Sequence, residues 1–221
     1  MHLVIPRDQK VWFTSDTHFG HSNIIRYCAR KTFVPEELHA AIDAGEDVQI
    51  TRLHTVTMDK AILKNINDCV GPDDLLFHMG DFAYGRYGSS LRAWTHYREQ
   101  IQCRQLYLVL GNHDKRTPAC KSLFQYTGDR MSLSVRGQVI VLDHYAGYVW
   151  FQSHRGSIQL YGHSHGTSEK ALNELFPGRR ALDVGVDNAY KVLGQYRPFS
   201  LDEVLQVIER GGVAQRQSTD L

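Results

Sequence analysis

The sequence predicts an α/β fold in which short buried strands alternate with helices. Short β-rich apolar runs recur along the chain, and apolar residues at helical spacing fill the stretches between them. Each of these runs also stops at a side chain that can bind a metal ion. At 221 residues and 42% hydrophobic content, the chain can bury one sizeable core. We therefore expect a single domain over residues 1–221.

Five apolar runs have the composition of strands that are buried on both faces. They are Val11–Ser15, Leu75–Met79, Leu106–Leu110, Val139–Leu142 and Ile158–Tyr161. In α/β proteins, ligands bind in the loops that leave the carboxyl ends of strands, because rigid strands hold those loops at one edge of the sheet. We expect the residues that follow these five runs to converge there.

Helical patterns occupy the stretches between the predicted strands. Apolar residues recur at helical spacing from Met58 to Cys69 and from Leu91 to Ile101. Val34-Pro35-Glu36-Glu37 predicts a helix start, with proline in the first turn and acids at the positive end of the dipole, and Gly45 predicts its end. Ser200-Leu201-Asp202-Glu203 is a capping box that opens a last helix through Arg210.

Two segments do not fit this alternation. Residues 39–57 are polar, and we interpret them as an insertion over the functional site. Residues 213–221 follow Gly211-Gly212, which is expected to end the last helix. We expect this C-terminal segment to be a flexible tail.

Charge and cysteine usage exclude several classes of protein. Lys plus Arg is 25 against 24 for Asp plus Glu, a net charge of +1, so nothing draws the whole chain to nucleic acid or an anionic membrane. No apolar run approaches the roughly 20 residues that span a bilayer, and Met1–Lys10 lacks the apolar centre of a secretory signal. Four scattered cysteines without a CxxC pair predict reduced thiols. We expect a soluble cytoplasmic protein with no membrane partner.

Metal-binding side chains follow the apolar runs in turn. The blocks are Asp16-Thr17-His18, Gly80-Asp81, Gly111-Asn112-His113-Asp114, Asp143-His144 and Gly162-His163-Ser164-His165. Any one of them alone would usually mark a cap or a turn. Five in this order are hard to attribute to coincidence, and their oxygen and nitrogen donors suit a pair of divalent cations.

Two cations about 3.5 to 4 Å apart need a bridging anion, and we assign that part to Asp81. Asp16, His18 and His165 are predicted to hold the first metal, and Asn112, His144 and His163 the second. Only two of these ligands are anionic, so the site stays positive and attracts phosphate oxygens. A water that bridges the metals would have its pKa lowered from about 15.7 toward 7, which gives a hydroxide that attacks phosphorus.

His113 and Asp114 are the predicted catalytic pair. His113 directly follows a predicted ligand, from where it can protonate the leaving oxygen as a general acid. A carboxylate neighbour favours the imidazolium form that this role requires, so Asp114 would orient and charge His113. Alternatively, Asp114 only caps the following turn.

Five residues beside the predicted ligands are candidate substrate contacts: His21, Asn23, Arg86, Lys115 and Arg116. His21 and Asn23 can touch substrate or orient ligands, although Asn23 can equally cap a helix. The segment Tyr84–Gly88 can stack a base while Arg86 meets phosphate, or it can be a plain turn. Lys115 and Arg116 can contact a distal phosphate or a nucleic-acid backbone, or be solvated surface charges.

From Val11 to about Val204 the chain resembles the calcineurin-like metallophosphoesterase superfamily, in its bacterial and phage branch with a Gly-Asn-His-Asp motif. Ser15–His21 matches that branch's Ser-Asp-Thr-His-Phe-Gly-His block, and His78–Phe82 matches its His-Leu-Gly-Asp-Phe block with one change. The resemblance implies a four-layer α-β-β-α sandwich with two mixed sheets and a dinuclear centre at one edge. It implies the same seven metal ligands, with His113 as the acid.

Two departures from relatives bear on the substrate and the ligands. Serine/threonine protein phosphatases of this superfamily use Gly-Asn-His-Glu and follow their Gly-Asp differently, whereas this chain has Phe82–Gly85 and Asp114. Protein phosphatase activity is therefore not expected. Relatives usually have proline after His-Tyr, but Ala146 stands here, so His154 remains a rival to His144 as ligand.

We predict a hydrolase of phosphomonoester or phosphodiester bonds in small, nucleotide-like substrates. It would use two divalent metal ions, with Mn²⁺ the first choice and Fe, Zn or Ni as alternatives. One alternative function is a metal-dependent nuclease on DNA or RNA, against which the near-neutral charge argues mildly. Another is a non-catalytic scaffold with the same fold. No residue pattern indicates an oligomeric state.

Overall fold

The computed structural model describes residues 1–211 and contains ten strands in two sheets. In chain order the strands are β1 His2–Val4, β2 Val11–Thr14, β3 Leu75–His78, β4 Gln105–Val109, β5 Tyr126–Gly128, β6 Arg130–Val135, β7 Gln138–Asp143, β8 Ile158–Tyr161, β9 Ala181–Asp183 and β10 Phe199–Ser200. All five predicted strands are present as β2, β3, β4, β7 and β8. The tail predicted at residues 213–221 lies outside the described residues.

Nine α-helices lie between these strands in the described part of the chain. They are α1 Ile24–Tyr27, α2 His39–Asp43, α3 Arg52–Cys69, α4 Gly85–Gly88, α5 Leu91–Gln100, α6 Pro118–Lys121, α7 Glu169–Leu175, α8 Val186–Leu193 and α9 Leu201–Glu209. Short 3₁₀ turns occur at Lys31–Phe33, Glu36–Leu38 and Ser153–Arg155.

Both sheets are mixed, as the resemblance implied. The first has the order β1-β6-β7-β8-β9, with β6 antiparallel to β7 and the other neighbours parallel. The second has the order β10-β2-β3-β4-β5, with β10 antiparallel to β2 and the remaining strands parallel. Parallel pairing brings the carboxyl ends of neighbouring strands to a common edge.

The two sheets pack face to face. Phe13 and Phe77 of the second sheet share a buried cluster with Leu133 and Leu160 of the first. Because side chains alternate along a strand, the opposite face of the second sheet carries another set, including Leu76, and this set packs against α3 and α5. On the outer face of the first sheet, the Tyr161 hydroxyl bonds Glu169 of α7. The predicted four-layer sandwich is confirmed.

The helix predicted from Val34 to Gly45 is broken. A 3₁₀ turn at Glu36–Leu38 precedes the short helix α2, and Gly45 ends the segment at φ 72°. The last helix is as predicted: the Ser200 side chain accepts from the Glu203 N–H at 3.2 Å, and the Glu203 carboxylate accepts from the Ser200 N–H at 2.8 Å.

Residues 39–57 do not cover the site that the predicted ligands form. Ile42 is buried in the cluster between the second sheet and its helices, and Val48 and Ile50 pack against that cluster. Thr51 then caps α3, since its hydroxyl accepts from the His54 N–H. The segment's apolar side chains therefore anchor it on the core, and the cavity that opens onto the predicted ligands is lined by none of its residues. The interpretation of it as an insertion over the site is not supported.

All four cysteines are free, in agreement with the prediction of reduced thiols. Within residues 1–211, none of the helices combines the length and the apolar character that crossing a bilayer requires.

Candidate metal centre

Strands from both sheets deliver the predicted ligands to one place. Asp16 and His18 follow β2, Asp81 follows β3, and His163 and His165 follow β8. Potential ligand atoms of Asp16, His18 and His165 lie within 4.8 Å of one another, and the same holds for Asp81, His144 and His163. The Asn112 Oδ1 lies 3.0 Å from the His144 Nε2. The structure thus brings together all seven residues, in the two groups predicted from the sequence.

Asp81 lies between the two groups. Its Oδ2 is 3.5 Å from the His18 Nε2 on one side and 3.7 Å from the His144 Nε2 on the other. Its Oδ1 accepts a hydrogen bond from the His113 N–H at 2.9 Å. One carboxylate oxygen is therefore fixed by the backbone, and the other faces both sets of histidines.

The backbone is strained where these side chains are presented. Eight residues other than glycine have positive φ in the described chain, and five of them are predicted ligands: Asp16, His18, Asp81, His163 and His165. Left-handed backbone is unfavourable for residues with a Cβ and persists only where the surrounding structure imposes it. Its concentration in one cluster indicates that the fold is built around these side chains.

Glycines before the ligands allow backbone segments to approach closely. Gly80 has φ 100°, and a Cβ there would clash with the backbone of Gly111. A methyl group at Gly162 would overlap the Ser15 hydroxyl and the Asp16 Oδ2. Residue 162 can carry no side chain, because the adjacent His163 N–H donates to the Asp16 carboxylate at 2.9 Å and so holds that carboxylate against Gly162.

Replacing Gly162 by alanine should therefore displace Asp16 and weaken metal binding. We expect a loss of about 1–3 kcal/mol in the free energy of unfolding, typical of overpacking. Metal affinity should fall by about 10- to 100-fold, as when a ligand loses its orienting contacts. Urea denaturation and Mn²⁺ titration measure the two effects. Gly71→Ala is the control, because its Cβ would lie 3.4 Å from the Asp74 carboxylate, an ordinary van der Waals contact.

The charge state of the buried groups suits a cation. Both ring nitrogens of His18 are buried without a hydrogen-bond partner in the described chain. Burial lowers the pKa of His18 well below its ordinary value, and the positive charge of Arg30 lowers it further, so the imidazole is neutral with a free lone pair. Burial raises the pKa of Asp16 well above its ordinary value, while His165 lowers it and Asp183 and Asp81 raise it. A bound cation would stabilise both groups.

The orientation of His144 also leaves a donor atom for a metal. Its Nδ1 lies 2.7 Å from the Met79 carbonyl oxygen, which requires the proton on Nδ1 and leaves Nε2 as an acceptor. Nε2 then faces the amide oxygen of Asn112, another acceptor, and a cation between them would satisfy both. The rival, His154, is exposed in the Ser153–Arg155 turn and belongs to neither group.

Comparison with known proteins agrees with this geometry. Residues 9–167 match the calcineurin-like phosphoesterase family. The chain belongs to this family. The resemblance to this family noted in the sequence is thereby confirmed, and membership supports metal-dependent hydrolysis of phosphoester bonds.

Several relatives of this phosphoesterase extend over most of its length. It is 25% identical over 207 residues to an uncharacterized protein of Methanocaldococcus jannaschii, covering 93% of this chain and 94% of that protein. It is 25% identical over 204 residues to the gene 66 protein of Mycobacterium phage L5, covering 80% of this chain and 86% of that one. A solved protein of unknown function from Aquifex aeolicus shares the fold, with 21% identity, a TM-score of 0.61 and coverage of 90% and 100%.

The predicted pairing of His113 with Asp114 is not the arrangement found. The Asp114 carboxylate is buried and accepts from the backbone N–H groups of Gly111, Asp81 and Phe82 at 2.8 to 2.9 Å. Both of its oxygens are used in this way, because the turns after β3 and β4 would otherwise leave those amides unpaired. Asp114 thus ties the Asp81 turn to the His113 turn, and the His113 ring packs on Tyr84 instead, with 4.0 Å between ring centroids.

A cavity of about 830 Å³ opens onto the phosphoesterase's histidines. Two of the five candidate substrate contacts line it, and the other three do not. His113, His21, Asn23 and Tyr84 line it together with His18. Asn23 precedes α1, but its side chain makes no capping hydrogen bond. The alternative role of Asn23 as a helix cap is therefore not found.

The other three candidate contacts lie elsewhere. Arg86 lines a second cavity, whereas Tyr84, two residues before it, lines the cavity of the histidines. Arg116 pairs with Asp129 at 2.6 Å, and Lys115 is exposed beside it. None of the three lines the cavity of the histidines, so the expectation that they touch substrate there is not supported.

Sequence reasoning missed a buried ion pair behind the ligands. Arg30 is fully buried and donates to both carboxylate oxygens of Asp187 at 2.8 Å. It also donates to the carbonyl oxygens of Asp16 and Thr17, at 2.8 and 3.1 Å. Asp187 in turn lies 2.6 Å from the His165 Nδ1. This pair orients a histidine and holds the turn after β2, but the sequence around Arg30 carries no sign of burial.

Asp183 is a second missed support. It ends β9, and its carboxylate accepts from the Ser164 hydroxyl at 2.6 Å and the Gly166 N–H at 2.8 Å. These contacts hold the turn that carries His163 and His165. A signal existed, since Ala181-Leu182-Asp183 is one more apolar run that stops at a carboxylate.

Proposed function

We propose that this chain hydrolyses phosphomonoester or phosphodiester bonds of small, nucleotide-like substrates at a centre of two divalent ions. The observation that carries the proposal is the position of the Asp81 Oδ2, at 3.5 Å from one histidine set and 3.7 Å from the other. A carboxylate shared between two groups of metal-binding side chains is what a pair of adjacent cations requires.

The ligands of the two ions would be divided as predicted from the sequence. Asp16, His18 and His165 would hold one ion, Asn112, His144 and His163 the other, and Asp81 both. When bound, the ions would supply positive charge that polarises the phosphoryl group and makes a water molecule nucleophilic near neutral pH. Mixed carboxylate, amide and imidazole donors accept several metals, and Mn²⁺ is the one we propose.

The protein's own groups would position the substrate and move one proton. His113 lines the cavity beside His18 and rests on the Tyr84 ring, so its imidazole is placed to protonate the leaving oxygen. Its backbone N–H holds Asp81, which sets the distance between the acid and the centre. His21 and Asn23 line the same cavity and would contact the departing group.

His113→Ala should lose turnover while keeping both ions. General acid catalysis contributes about 10²- to 10⁴-fold, so kcat on an unactivated alkyl ester should fall by that factor. An ester with a nitrophenol leaving group needs little protonation and should lose much less. Because only the His113 N–H contacts Asp81, metal content should stay at the wild-type level. The exposed His154→Ala serves as control, and normal turnover of the alkyl ester by His113→Ala would remove His113 from the mechanism.

The function itself is tested with one metal-loaded preparation. After dialysis against EDTA and reloading with Mn²⁺, metal content is measured, and hydrolysis of nucleotides, a chromogenic diester and single-stranded polynucleotides is compared. We expect about two ions per chain and preference for the small esters. Preference for polynucleotides would favour the nuclease alternative. Less than about half an ion per chain, with no activity, would indicate a scaffold.

A further inference from the structure

A second cavity, of about 530 Å³, lies on the other side of α4 from the metal centre. It is formed by the first turns of α3 and α5 and by α4 between them, and three arginines line it: Arg52, Arg86 and Arg92. Metal-ligand residues do not line this cavity. The cavity therefore needs an explanation of its own.

Within residues 1–211, its arginines have no carboxylate partner. Eleven other lysines and arginines of the described chain form ion pairs within 4.0 Å, but Arg52, Arg86 and Arg92 do not. Arg52 and Arg86 both lie against the ring of Tyr87, at 5.5 and 5.8 Å from its centroid. Three like charges gathered around one cavity repel one another, and an anion between them would remove that repulsion.

The remaining polar groups of the cavity agree with an anionic occupant. Ser90 caps α5, a helix of ten residues, so the positive end of the helix dipole lies at the cavity. The one carboxylate of the lining, Asp59, is buried and already accepts hydrogen bonds from the Tyr97 hydroxyl at 2.8 Å and the Gly20 N–H at 3.1 Å. The Tyr97 hydroxyl and the Gly20 N–H therefore partly offset the negative charge of Asp59, which reduces its repulsion of an anion in the cavity.

Residues that hold the cavity are in contact with, or close in sequence to, residues of the metal centre. Gly20, which Asp59 holds, is two residues from His18, and Tyr84 precedes α4 and lies on His113. Gly88 at the end of α4 is in backbone contact with Phe19. The cavity and the metal centre are therefore neighbours in the structure.

We propose that this cavity binds a phosphate group other than the one that is hydrolysed. Guanidinium groups recognise phosphate with paired, charge-assisted hydrogen bonds. The proposal extends the proposed function, since it indicates ligands that carry more than one phosphate. That phosphate can belong to the substrate, as a distal group, or to a separate phosphorylated ligand.

Binding is tested without turnover. Pyrophosphate is titrated calorimetrically into the full-length chain in EDTA, for the wild type and for the Arg52→Gln/Arg92→Gln double variant. We expect the dissociation constant to rise about tenfold or more in the double variant. Arg155→Gln is the matched control, because Arg155 is also exposed, forms no ion pair with the residues that the structure describes, and lies outside the cavity. No pyrophosphate binding by the wild type, or equal binding by both, would overturn the proposal.

A kinetic comparison then distinguishes the two sources of the phosphate. The ratio of kcat/KM for a short oligonucleotide to kcat/KM for a single-phosphate chromogenic diester is measured in each variant. A tenfold fall in this ratio in the double variant assigns the cavity to a distal phosphate of the substrate. An unchanged ratio, with pyrophosphate binding lost, assigns it to a separate ligand. If no ester is hydrolysed by any variant, the proposed function fails, while the titration still decides whether the cavity binds phosphate.

Discussion

Asp81→Asn should abolish metal binding and activity together. The asparagine side chain has nearly the same shape, but it carries no charge and offers a single oxygen. The Asp81 Oδ1 accepts from the His113 N–H while Oδ2 faces His18 and His144, so the amide can keep only one of these two roles. Without the shared anion, two adjacent cations repel each other uncompensated. We expect kcat/KM to fall by at least about 10³-fold.

Metal analysis separates this explanation from general damage to the fold. The Mn²⁺ content of Asp81→Asn after gel filtration should fall below about one ion per chain, since both sites share this ligand. Asp59→Asn makes the same change at another buried carboxylate, one that bonds Gly20 and Tyr97 and lies outside both ligand groups. It should keep its metal content. Two tightly bound ions in Asp81→Asn would contradict the assignment of Asp81 as the bridge.

The five strands and the convergence of the seven residues could be predicted from the sequence, because both follow from local sequence patterns. A strand buried on both faces needs a continuous apolar run, and a ligand at its end interrupts that run abruptly, as at Ser15-Asp16 or Met79-Gly80-Asp81. Parallel pairing does the rest, since it brings such ends to one edge. Within the second sheet this rule brings Asp16, after β2, beside Asp81, after β3. His165 follows β8 of the first sheet, so its approach to Asp16 depends on the packing of the two sheets.

Four of the five strands that were missed are short or stabilised by distant partners; the fifth, β6, has six residues and forms a hairpin with β7. β5, β9 and β1 have three residues each, too few for a period to be recognised. β1 pairs with β6, with His2 opposite Ser132, and β10 pairs with β2, with Phe199 opposite Phe13. In such pairs the tertiary contact, rather than the local sequence, decides that a strand forms.

Contacts behind the ligands were beyond sequence reasoning for a different reason. The sequence placed Asp114 next to His113, and adjacency suggested a pair. In the fold, the Asp114 carboxylate instead accepts from three buried backbone N–H groups that would otherwise have no partner. Likewise, an arginine is normally exposed, and nothing near Arg30 in the sequence shows that Asp187, 157 residues away, meets it in the core.

Arg30→Met should be the most destabilising substitution away from the ligands. The guanidinium is fully buried and bonded to the Asp187 carboxylate and to the carbonyl oxygens of Asp16 and Thr17. Removing Arg30 leaves the buried Asp187 carboxylate without its guanidinium partner and with His165 alone, and breaking a buried ion pair in this way costs about 3–5 kcal/mol. The turn after β2 also loses two donors, so Mn²⁺ affinity should fall by about 10- to 100-fold. Urea denaturation of the metal-free protein measures the first effect, and Mn²⁺ titration the second.

A double variant distinguishes loss of the charge pair from loss of packing. In Arg30→Met/Asp187→Asn the uncompensated carboxylate is gone, while the amide oxygen can still accept from His165. More than half of the lost free energy of unfolding should return, because the main cost of the single substitution is the unpaired charge. Metal affinity should not return, since the carbonyl oxygens of Asp16 and Thr17 still lack their donor. Arg116→Met, whose partner Asp129 is exposed, should cost less than about 1 kcal/mol. No recovery in the double variant would mean that the lost hydrogen bonds to the carbonyl oxygens of Asp16 and Thr17, and not the unpaired charge, cause the destabilisation.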